Sequence, residues 1–228
     1  AHKNNYKLIN VLNELEKLGI PRIRISSIEP NLLTDEIIQL VKSSKSFCRH
    51  FHIPLQSGDP ETLKLMRRRY SRDYYEELIC RLNSEMPDTG IGVDVIVGFP
   101  QETDERFENT LNFLEKLPVS YLHVFSYSER KNTHAVTLEG RVDITKRKQR
   151  SRILRDLSNK KRLAFHRRNT GAVHNVLFET IREDDHIYGF TENYIKVRVP
   201  ANSELENRIV PCRITETDSY SFAEGGEA

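Results

Sequence analysis

The 228-residue sequence has few cysteines and no long apolar segment. Its three cysteines, Cys48, Cys80 and Cys212, are odd in number and show neither CxxC nor CxxxCxxC spacing. This distribution argues against a disulfide framework and against a metal site built from this chain alone, and it predicts reduced thiols. No segment approaches the roughly 18 apolar residues of a membrane helix, and the first residues form no apolar signal region. We therefore expect a soluble, cytoplasmic protein without a membrane partner.

The first part of the chain alternates between helical and extended patterns. Apolar residues recur at helical spacing between residues 8 and 18 and predict a helix there, and a further helix is predicted at 104–117. Between and after them, four extended segments are expected at residues 22–27, 50–55, 92–98 and 119–127. Alternation of this kind predicts an α/β fold with a parallel sheet and right-handed crossovers. Because the pattern starts on a helix at Ala1, we expect that a strand, and a longer chain, once preceded it.

In the second part of the chain, the charge balance and the secondary-structure pattern change twice. Residues 145–168 contain eleven Lys and Arg and only one acidic residue, which predicts a single basic helix. Residues 169–228 reverse this balance, with five basic and eleven acidic residues. Here short extended segments alternate with turn residues, and the five expected strands are 173–180, 187–191, 195–200, 209–215 and 219–223. We therefore predict three parts: a partial β/α barrel at 1–144, a connecting helix at 145–168 and a small all-β barrel at 169–228.

Polar residues follow each of the expected parallel strands. They are Ser26 and Ser27 after the first strand, Gln56–Gly58 after the second, residues 98–103 after the third and residues 126–128 after the fourth. In a parallel β/α barrel the active site gathers at the carboxyl ends of the strands. The sequence therefore predicts one polar site at this edge of the sheet.

Four motifs in order and spacing identify a family. They are His-Ile-Pro-Leu-Gln-Ser-Gly at 52–58, Met-Arg-Arg-Arg-Tyr-Ser at 66–71, Asp-Val-Ile-Val-Gly-Phe-Pro-Gln-Glu-Thr at 94–103, and Phe-Ser-Tyr-Ser-Glu-Arg at 125–130. Together they resemble the radical S-adenosylmethionine (radical SAM) methylthiotransferases. Residues 190–197 and 209–215 are similar to the TRAM domain, an OB-like barrel that ends these enzymes. The resemblance implies the C-terminal half of a TIM-like radical SAM barrel followed by a TRAM-like barrel.

The resemblance also implies an activity. Within the family, residues 54–59 and 122–127 look most like the branch that acts on threonylcarbamoyladenosine beside the tRNA anticodon. Such enzymes cleave SAM reductively and add a methylthio group to C2 of the adenine, so the implied cofactors are SAM and [4Fe–4S] clusters. Three alternatives stay open: a non-catalytic RNA-binding fragment, an enzyme acting on isopentenyladenosine in tRNA, and one acting on a ribosomal protein. Oligomeric state is not predicted.

Six residues match positions that hold SAM in related barrels. The resemblance implies that Gln56 reaches the ribose and that Arg68 pairs with the SAM carboxylate, a task suited to the forked guanidinium group. Ser26 is expected near the methionine moiety. Asp94 and Ile96 are expected beside the ribose and adenine, and Ser128 at the adenine edge.

A structural role competes with each of these assignments. Gln56 could satisfy backbone groups in a turn, Arg68 could be a solvated cation, and Asp94 could anchor its strand, since a buried carboxylate needs a partner. Glu102 before Thr103 is better explained by helix-start chemistry than by catalysis. Three histidines are also expected to have structural roles, packing at strand ends rather than binding a metal: His50, His52 and His123.

The chain departs from the family pattern in three ways. The CxxxCxxC motif that would hold the radical-generating cluster is absent, so the cluster ligands are expected outside this chain and the chain alone is expected to be inactive. Residues 131–135 are Lys-Asn-Thr-His-Ala where the family favours Gly-Thr-Pro-Ala after the arginine. Residues 169–228 are acidic, which is unusual for a surface that meets RNA.

The charge distribution predicts where tRNA would bind. The basic helix is a stronger electrostatic footprint for a polyanion than the acidic barrel. An ordinary solvated helix face is the competing explanation. The candidate residues on and near the helix are Lys146, Arg147, Lys148, Arg150, Arg167 and Arg168. Lys196 and Arg198 of the small barrel are expected to contribute less.

Overall fold

The structure, a computed structural model, describes residues 6–183, 185–217 and 223–227. Its helices are α1 (Leu8–Lys17), α2 (Asp35–Ser43), α3 (Pro60–Leu65), α4 (Arg72–Glu85), α5 (Asp104–Lys116) and α6 (Ile144–Arg168). Three parallel strands are β1 (His50–His52), β2 (Gly90–Val97) and β3 (Tyr121–Ser126). Five further strands are β4 (Val173–Glu183), β5 (His186–Phe190), β6 (Lys196–Pro200), β7 (Ile209–Thr217) and β8 (Ala223–Glu227). Short 3₁₀ helices lie at Pro30–Leu32, His134–Thr137 and Ser203–Leu205.

Side-chain caps fix where four of the helices begin. Asp59, Ser71, Thr103 and Asp143 each accept a hydrogen bond from a backbone N–H in the first turn of α3, α4, α5 and α6. Such caps satisfy amide groups that have no partner within the helix. Thr34 occupies the corresponding position before α2 but makes no side-chain cap. The helix starts at Ser71 and Thr103 agree with the sequence pattern.

The three parallel strands form a sheet in the order β1-β2-β3. Alternate residues of β2 point to opposite faces, so Ile91, Val93 and Val95 pack into the core under the helices. On the other face, Asp94 is level with His123 of β3. This second, concave face corresponds to the inside of a partial barrel. The mixed α/β fold and its parallel sheet confirm the predicted fold class.

The first expected strand, at residues 22–27, does not form. The segment runs beside β1 and is tied to it through Ile23, which bonds Ser46 and Cys48, and through Ile28, which bonds His52. Only Ile23 forms an isolated bridge, with Phe47. Among the described residues no strand lies on its outer side, so nothing holds the middle of the segment in a regular ladder.

Helix α6 covers the free edge of the parallel sheet. The side chain of Ser158 enters this edge: its hydroxyl accepts from Leu122 N at 2.8 Å and donates to Leu122 O at 2.9 Å. Leu154, one turn earlier, is fully buried in the same core. The pair of hydrogen bonds satisfies backbone groups that an edge strand would otherwise leave open. The expected basic helix at 145–168 is therefore also a structural wall of the sheet.

The five remaining strands close into a small barrel in the order β4-β5-β6-β8-β7. All its pairings are antiparallel except β6 with β8. Its core contains Val176, Phe178, Ile187 and Val197, and Phe165 of α6 closes one side. The last strand was expected at 219–223, of which residues 219–222 lie outside the described residues, and β8 begins at Ala223.

Close contacts at Arg22, Asn193 and Gly90 join the small barrel to the parallel sheet and the segment beside it. The guanidinium group of Arg22 donates to the carbonyl oxygens of Phe190, at 2.6 Å, and Asn175. Asn193 donates to Asp88 O at 2.9 Å. Gly90 lies so close that an added Cβ would be 2.1 Å from Asn193 O. The start of β2 therefore tolerates only glycine against the barrel. Within the described residues, no helix is both long and apolar enough to cross a membrane.

Candidate functional site

A cavity of about 720 Å³ opens at the carboxyl ends of the three parallel strands. Five of the six residues predicted to hold SAM line it: Gln56, Arg68, Asp94, Ile96 and Ser128. They come from four separate stretches of sequence, and the topology brings them to one edge of the sheet. Ser26 is exposed and does not line this cavity.

Gln56 reaches the cavity through an irregularity in the backbone. Its φ is +71°, and the N–H groups of both Leu55 and Gln56 bond the carbonyl oxygen of Asp94. The Gln56 carbonyl then accepts from Ile96 N at 2.9 Å, which resumes the pairing with β2. A residue with a side chain rarely adopts positive φ, and such strain is concentrated at functional sites. The buried Gln56 side chain is thereby fixed at the cavity wall.

Asp94 is anchored and yet open to the cavity. Its Oδ1 lies 2.8 Å from Nε2 of His52 on the neighbouring strand, where an imidazole N–H can donate to it. The imidazole is itself in ring contact with His123, with centroids 5.2 Å apart. The Asp94 side chain remains partly exposed, with 23 % relative accessibility. One oxygen therefore orients the carboxylate while the other can accept a hydrogen bond from a ligand.

Arg68 follows the end of α3, where Arg67 adopts a left-handed φ of +54° and turns the chain toward the cavity. Its Nη1 is 3.6 Å from Oε1 of Glu29, a distance typical of a loose ion pair. Its Nε is buried and has no hydrogen-bond partner among the described residues. Burying a hydrogen-bond donor without a partner costs free energy, and a ligand with an acceptor group would remove that cost. Because the donor belongs to a guanidinium group, an anionic ligand is favoured here.

Aromatic side chains complete the wall. Phe125 is 52 % exposed on the concave face, and Tyr127 follows it. The Tyr127 hydroxyl is buried without a partner in the described part of the chain. Neither residue was among the sequence candidates, although both stand in the last motif that identified the family. Their alternation with buried Val124 was the signal that could have placed Phe125 on the concave face.

These residues fit SAM. The cavity lies within the roughly 300–1,000 Å³ range of small-molecule sites. It offers a guanidinium for a carboxylate, a carboxylate and an amide for hydroxyl groups, and apolar and aromatic surface for a base. Two of its polar atoms, Arg68 Nε and the Tyr127 hydroxyl, have no hydrogen-bond partner among the described residues. Among the described residues no group of three or more His, Cys, Asp or Glu could hold a metal ion.

Two residues predicted to meet RNA are inside the protein. Arg150 is 3 % exposed, and its guanidinium group bonds Glu102 Oε1 and Asp104 Oδ1, each at 2.7 Å. Arg147 is 7 % exposed and pairs with Glu129 at 2.7 Å. A phosphate cannot reach these groups without displacing their partners. The geometry therefore corrects the expected role of both arginines, which hold loops against α6.

Glu102 is the acidic residue that pairs with Arg150 in the protein interior. Its Oε2 accepts from Gly98 N at 3.0 Å while Oε1 faces Arg150. Burial raises the pKa of the Glu102 carboxyl, and the adjacent Arg150 opposes that shift. The carboxylate thus joins the loop after β2 to α6. Its role is structural, but through Gly98 N and Arg150 rather than through the helix-start chemistry expected from its position before Thr103.

The other predicted RNA residues are at the surface. Lys148, Arg167 and Arg168 are exposed on α6, and Lys146 forms a surface ion pair with Asp104 at 2.8 Å. Lys196 and Arg198 lie half-buried on β6. Lys196 lines a smaller cavity, of about 220 Å³, where the barrel meets the sheet.

A polar aromatic network at this junction was not predicted from sequence. His50 Nε2 is 2.9 Å from the Tyr121 hydroxyl, and its ring contacts Tyr194 at 4.6 Å between centroids. Tyr194 stacks on Phe190 at the same distance, and Arg24 lies over its ring at 4.1 Å. Burial, assisted by nearby Arg24, lowers the pKa of His50 to about 3. The imidazole is therefore neutral and structural.

Comparison with known proteins agrees with this geometry. The chain is 40 % identical over 201 residues to threonylcarbamoyladenosine tRNA methylthiotransferase MtaB of Aquifex aeolicus, covering 88 % of this chain and 48 % of that protein. It is 35 % identical over 227 residues to MtaB of Bacillus subtilis, covering 97 % and 50 %. It is also 34 % identical over 206 residues to tRNA-2-methylthio-N(6)-dimethylallyladenosine synthase of Symbiobacterium thermophilum, covering 90 % and 44 %. The chain spans about half the length of these relatives.

Structural and family comparisons extend this result. The fold is similar to that of coproporphyrinogen III oxidase (HemN) from Escherichia coli, a radical SAM enzyme, with a TM-score of 0.56 and 16 % identity over 83 % of this chain and 52 % of that one. Residues 1–114, half of the sequence, match the radical SAM superfamily. Together with the methylthiotransferase relatives, this match confirms the resemblance inferred from the motifs, and the chain belongs to the radical SAM superfamily.

Proposed function

We propose that this chain is the C-terminal half of a radical SAM methylthiotransferase that modifies tRNA. The observation that carries the proposal is the convergence of Gln56, Arg68, Asp94, Ile96 and Ser128 on one cavity. The tRNA-modifying relatives support the same activity. The partial barrel, residues 1–144, would hold SAM, while the helix at 145–168 and the small barrel at 169–228 would meet the tRNA. Such an enzyme would act in the cytoplasm.

Bound SAM, together with [4Fe–4S] clusters held by other parts of the complete protein, would supply the radical and sulfur chemistry. The residues of this chain bind and orient. Arg68 would bind the SAM carboxylate through its guanidinium group, and Asp94 and Gln56 would accept and donate hydrogen bonds at the ribose. Ile96 and Ser128 would border the adenine. Phe125 and the other apolar walls exclude water from the reacting groups.

The substrate that we propose is N6-threonylcarbamoyladenosine beside the anticodon, with C2 of its adenine as the acceptor. The two MtaB relatives, at 40 % and 35 % identity, favour this branch. The dimethylallyladenosine synthases remain a second candidate, because one of them is 34 % identical over a similar length. The distinction concerns the group on N6 of the adenine.

Binding of SAM tests the cavity directly. Equilibrium dialysis of radiolabelled SAM against the purified chain should show saturable binding. Arg68→Ala should weaken it by about 10- to 150-fold, the range for one hydrogen bond to a charged group. Arg69→Ala is the matched control, because Arg69 is the adjacent arginine, is exposed and does not line the cavity. Equal SAM affinities for the Arg68 and Arg69 variants would show that SAM does not bind in this cavity through Arg68.

Analysis of modified nucleosides tests the substrate. The complete, cluster-loaded protein is incubated with SAM, a reductant and tRNA carrying either threonylcarbamoyl- or dimethylallyladenosine. Mass spectrometry of the digested tRNA should find the methylthio group on the threonylcarbamoyl nucleoside. Modification of only the dimethylallyl nucleoside would support the second candidate. The chain without the remainder of the protein is expected to produce neither product.

A further inference from the structure

Arg147, in the first turn of α6, bonds the chain on both sides of an exposed loop. It is 7 % exposed. Its guanidinium group donates to Tyr127 O at 2.9 Å and to Oε1 of Glu129 at 2.7 Å, both before the loop. Its Nε donates to Val142 O at 2.9 Å, directly after the loop. We call the segment between these partners, residues 130–141, the 130–141 loop.

The 130–141 loop forms part of the wall of the 720 Å³ cavity at the carboxyl ends of the parallel strands, here called the strand-end cavity. Ser128, which was predicted at the adenine edge, lies just before the loop and lines the same cavity. This part of the wall consists of loop and one short 3₁₀ helix, so its position depends on how the loop is held. The loop residues that line the cavity are Arg130, Thr133, His134 and Ala135.

Hydrogen bonds tie the 130–141 loop to the rest of the described protein only near its ends. Across residues 130–139, each hydrogen bond that the described coordinates contain has both partners within the loop, as when Thr133 Oγ1 donates to Arg130 O at 2.8 Å. Near the far end, Gly140 O accepts from Gln101 N at 2.8 Å. The loop is therefore positioned through its two ends, and Arg147 bonds the chain at both of them.

The position of Arg147 is itself fixed by close packing. Gly98, directly after β2, has a φ of +75°, and an added Cβ there would lie 2.3 Å from Cγ of Arg147. Only glycine leaves room for the arginine at this point. The guanidinium group lies 5.4 Å from the centre of the Tyr127 ring, and that ring meets Phe99 edge-on at 5.3 Å. Tyr127 and Phe99 both line the strand-end cavity, so Arg147 connects the loop with two aromatic walls.

We infer that Arg147 is a positioning residue for SAM, which holds the 130–141 loop in place as a wall of the strand-end cavity. Arg147 does not line the cavity and acts through the loop. The inference rests on the proposed function for the identity of the ligand. Without the three hydrogen bonds of the guanidinium group, a ligand must order the loop as it binds, and the lost conformational entropy lowers its affinity. Because the loop continues from Ser128, the effect should reach the adenosine part of SAM.

Two ligands test this role: SAM, and 5′-methylthioadenosine, which lacks the methionine carboxylate. In equilibrium dialysis with the purified chain, Arg147→Met should weaken binding of both by at least about 2- to 12-fold, the cost of ordering one side chain on binding. Arg68→Ala should weaken binding of SAM alone, because its expected partner is the carboxylate. Ser158→Ala, a buried substitution elsewhere on α6, should change neither affinity, since Ser158 does not line the cavity.

Limited digestion with trypsin reports on the loop itself. The loop offers exposed cleavage sites after Arg130, Lys131 and Arg141. Arg147→Met should speed cleavage at these sites relative to cleavage after Lys45, an exposed residue that follows α2. Bound SAM should slow loop cleavage in the unmodified chain, and should slow it less in the variant. Thermal melting shows whether each variant is folded at the temperature of the assays.

Glu129→Ala provides a second variant that leaves α6 unchanged. It removes one of the three hydrogen bonds of Arg147, and the Glu129 side chain is 40 % exposed, so the substitution should cost little stability. It should weaken binding of both ligands and speed loop cleavage, each by less than Arg147→Met does. This variant decides the question if Arg147→Met does not fold.

The outcomes separate the positioning role from the proposed function. If the unmodified chain binds SAM and folded Arg147→Met binds both ligands equally well, with unchanged loop cleavage, the positioning role is wrong and the proposed function stands. Unchanged affinities in Glu129→Ala have the same meaning if Arg147→Met is unfolded. Equal losses in Arg147→Met and Ser158→Ala would reveal general destabilisation and would also overturn the role. If the unmodified chain binds neither ligand, the proposed function fails, and the positioning role fails with it.

Discussion

His52 and Asp94 lie on neighbouring parallel strands with Nε2 and Oδ1 2.8 Å apart, and this contact orients the carboxylate in the cavity at the carboxyl ends of the strands. The sequence left two alternative roles for Asp94, a structural anchor and a ligand-binding group, and this geometry is compatible with both. Asp94 is a structural anchor through one oxygen and a candidate ligand group through the other. A partly buried carboxylate is stabilised by a hydrogen-bond partner, and His52 supplies one.

The first prediction concerns this carboxylate. Asp94→Asn should weaken SAM binding by about 10- to 150-fold, because a neutral amide replaces a charged acceptor at the ribose. His52→Gln should have a smaller effect, since an amide can still donate to Asp94. Equilibrium dialysis measures both. An Asp94→Asn variant with unchanged SAM affinity and a lower free energy of unfolding would show that the carboxylate is only an anchor.

The sequence predicted that five of the six candidate residues lie at one edge of the sheet, because the order of strand ends along the chain is visible in the sequence. Gln56 and Ser128 each follow an extended segment, Asp94 lies within one, and a parallel sheet brings the carboxyl ends of its strands together. Ser26 was expected at the same edge on the same reasoning. Its segment forms no regular strand, and Ser26 is exposed away from the cavity lining. The expectation failed where the sheet has no further strand to pair with.

Charge counts did not show which cationic side chains are exposed, because they ignore tertiary partners. Arg150 belongs to the most basic segment of the chain, yet it is buried against Glu102 and also bonds the exposed Asp104, both more than 40 residues away. Likewise His50 meets Tyr121 at a sequence separation of 71. Contacts over such separations follow from the folded topology. No local pattern around these residues indicates them.

The second prediction concerns the edge of the sheet. Ser158→Ala removes both hydrogen bonds to the backbone of Leu122 and should lower the free energy of unfolding by about 1–3 kcal/mol, the cost of leaving buried polar groups unpaired. Urea denaturation measures it. Ser151→Ala is a matched control, because Ser151 is buried on the same helix and its hydroxyl has no partner in the described part of the chain. Equal losses in both variants would contradict this role for Ser158.

The third prediction distinguishes structural from RNA-binding arginines. Arg150→Met should lower the free energy of unfolding by about 3–5 kcal/mol, because it leaves the Glu102 carboxylate buried without its charged partner. Arg152→Met, two residues later and exposed, should change it by less than about 0.5 kcal/mol. Chemical denaturation compares them. A stable Arg150 variant with weaker RNA binding would return Arg150 to the RNA surface.

The last prediction concerns acid. His50 has an ordinary pKa near 6.5 in the unfolded chain, and burial lowers it to about 3 in the folded protein. Between these values the unfolded chain binds a proton that the folded chain does not, so the free energy of unfolding should fall as the pH is lowered through this range. His50→Gln should flatten that fall, as measured by denaturation at several pH values. His134→Gln, which changes an exposed histidine, should not. Identical pH dependence in both variants would mean that His50 accepts a proton without unfolding, and that its bond to the Tyr121 hydroxyl does not require a neutral imidazole.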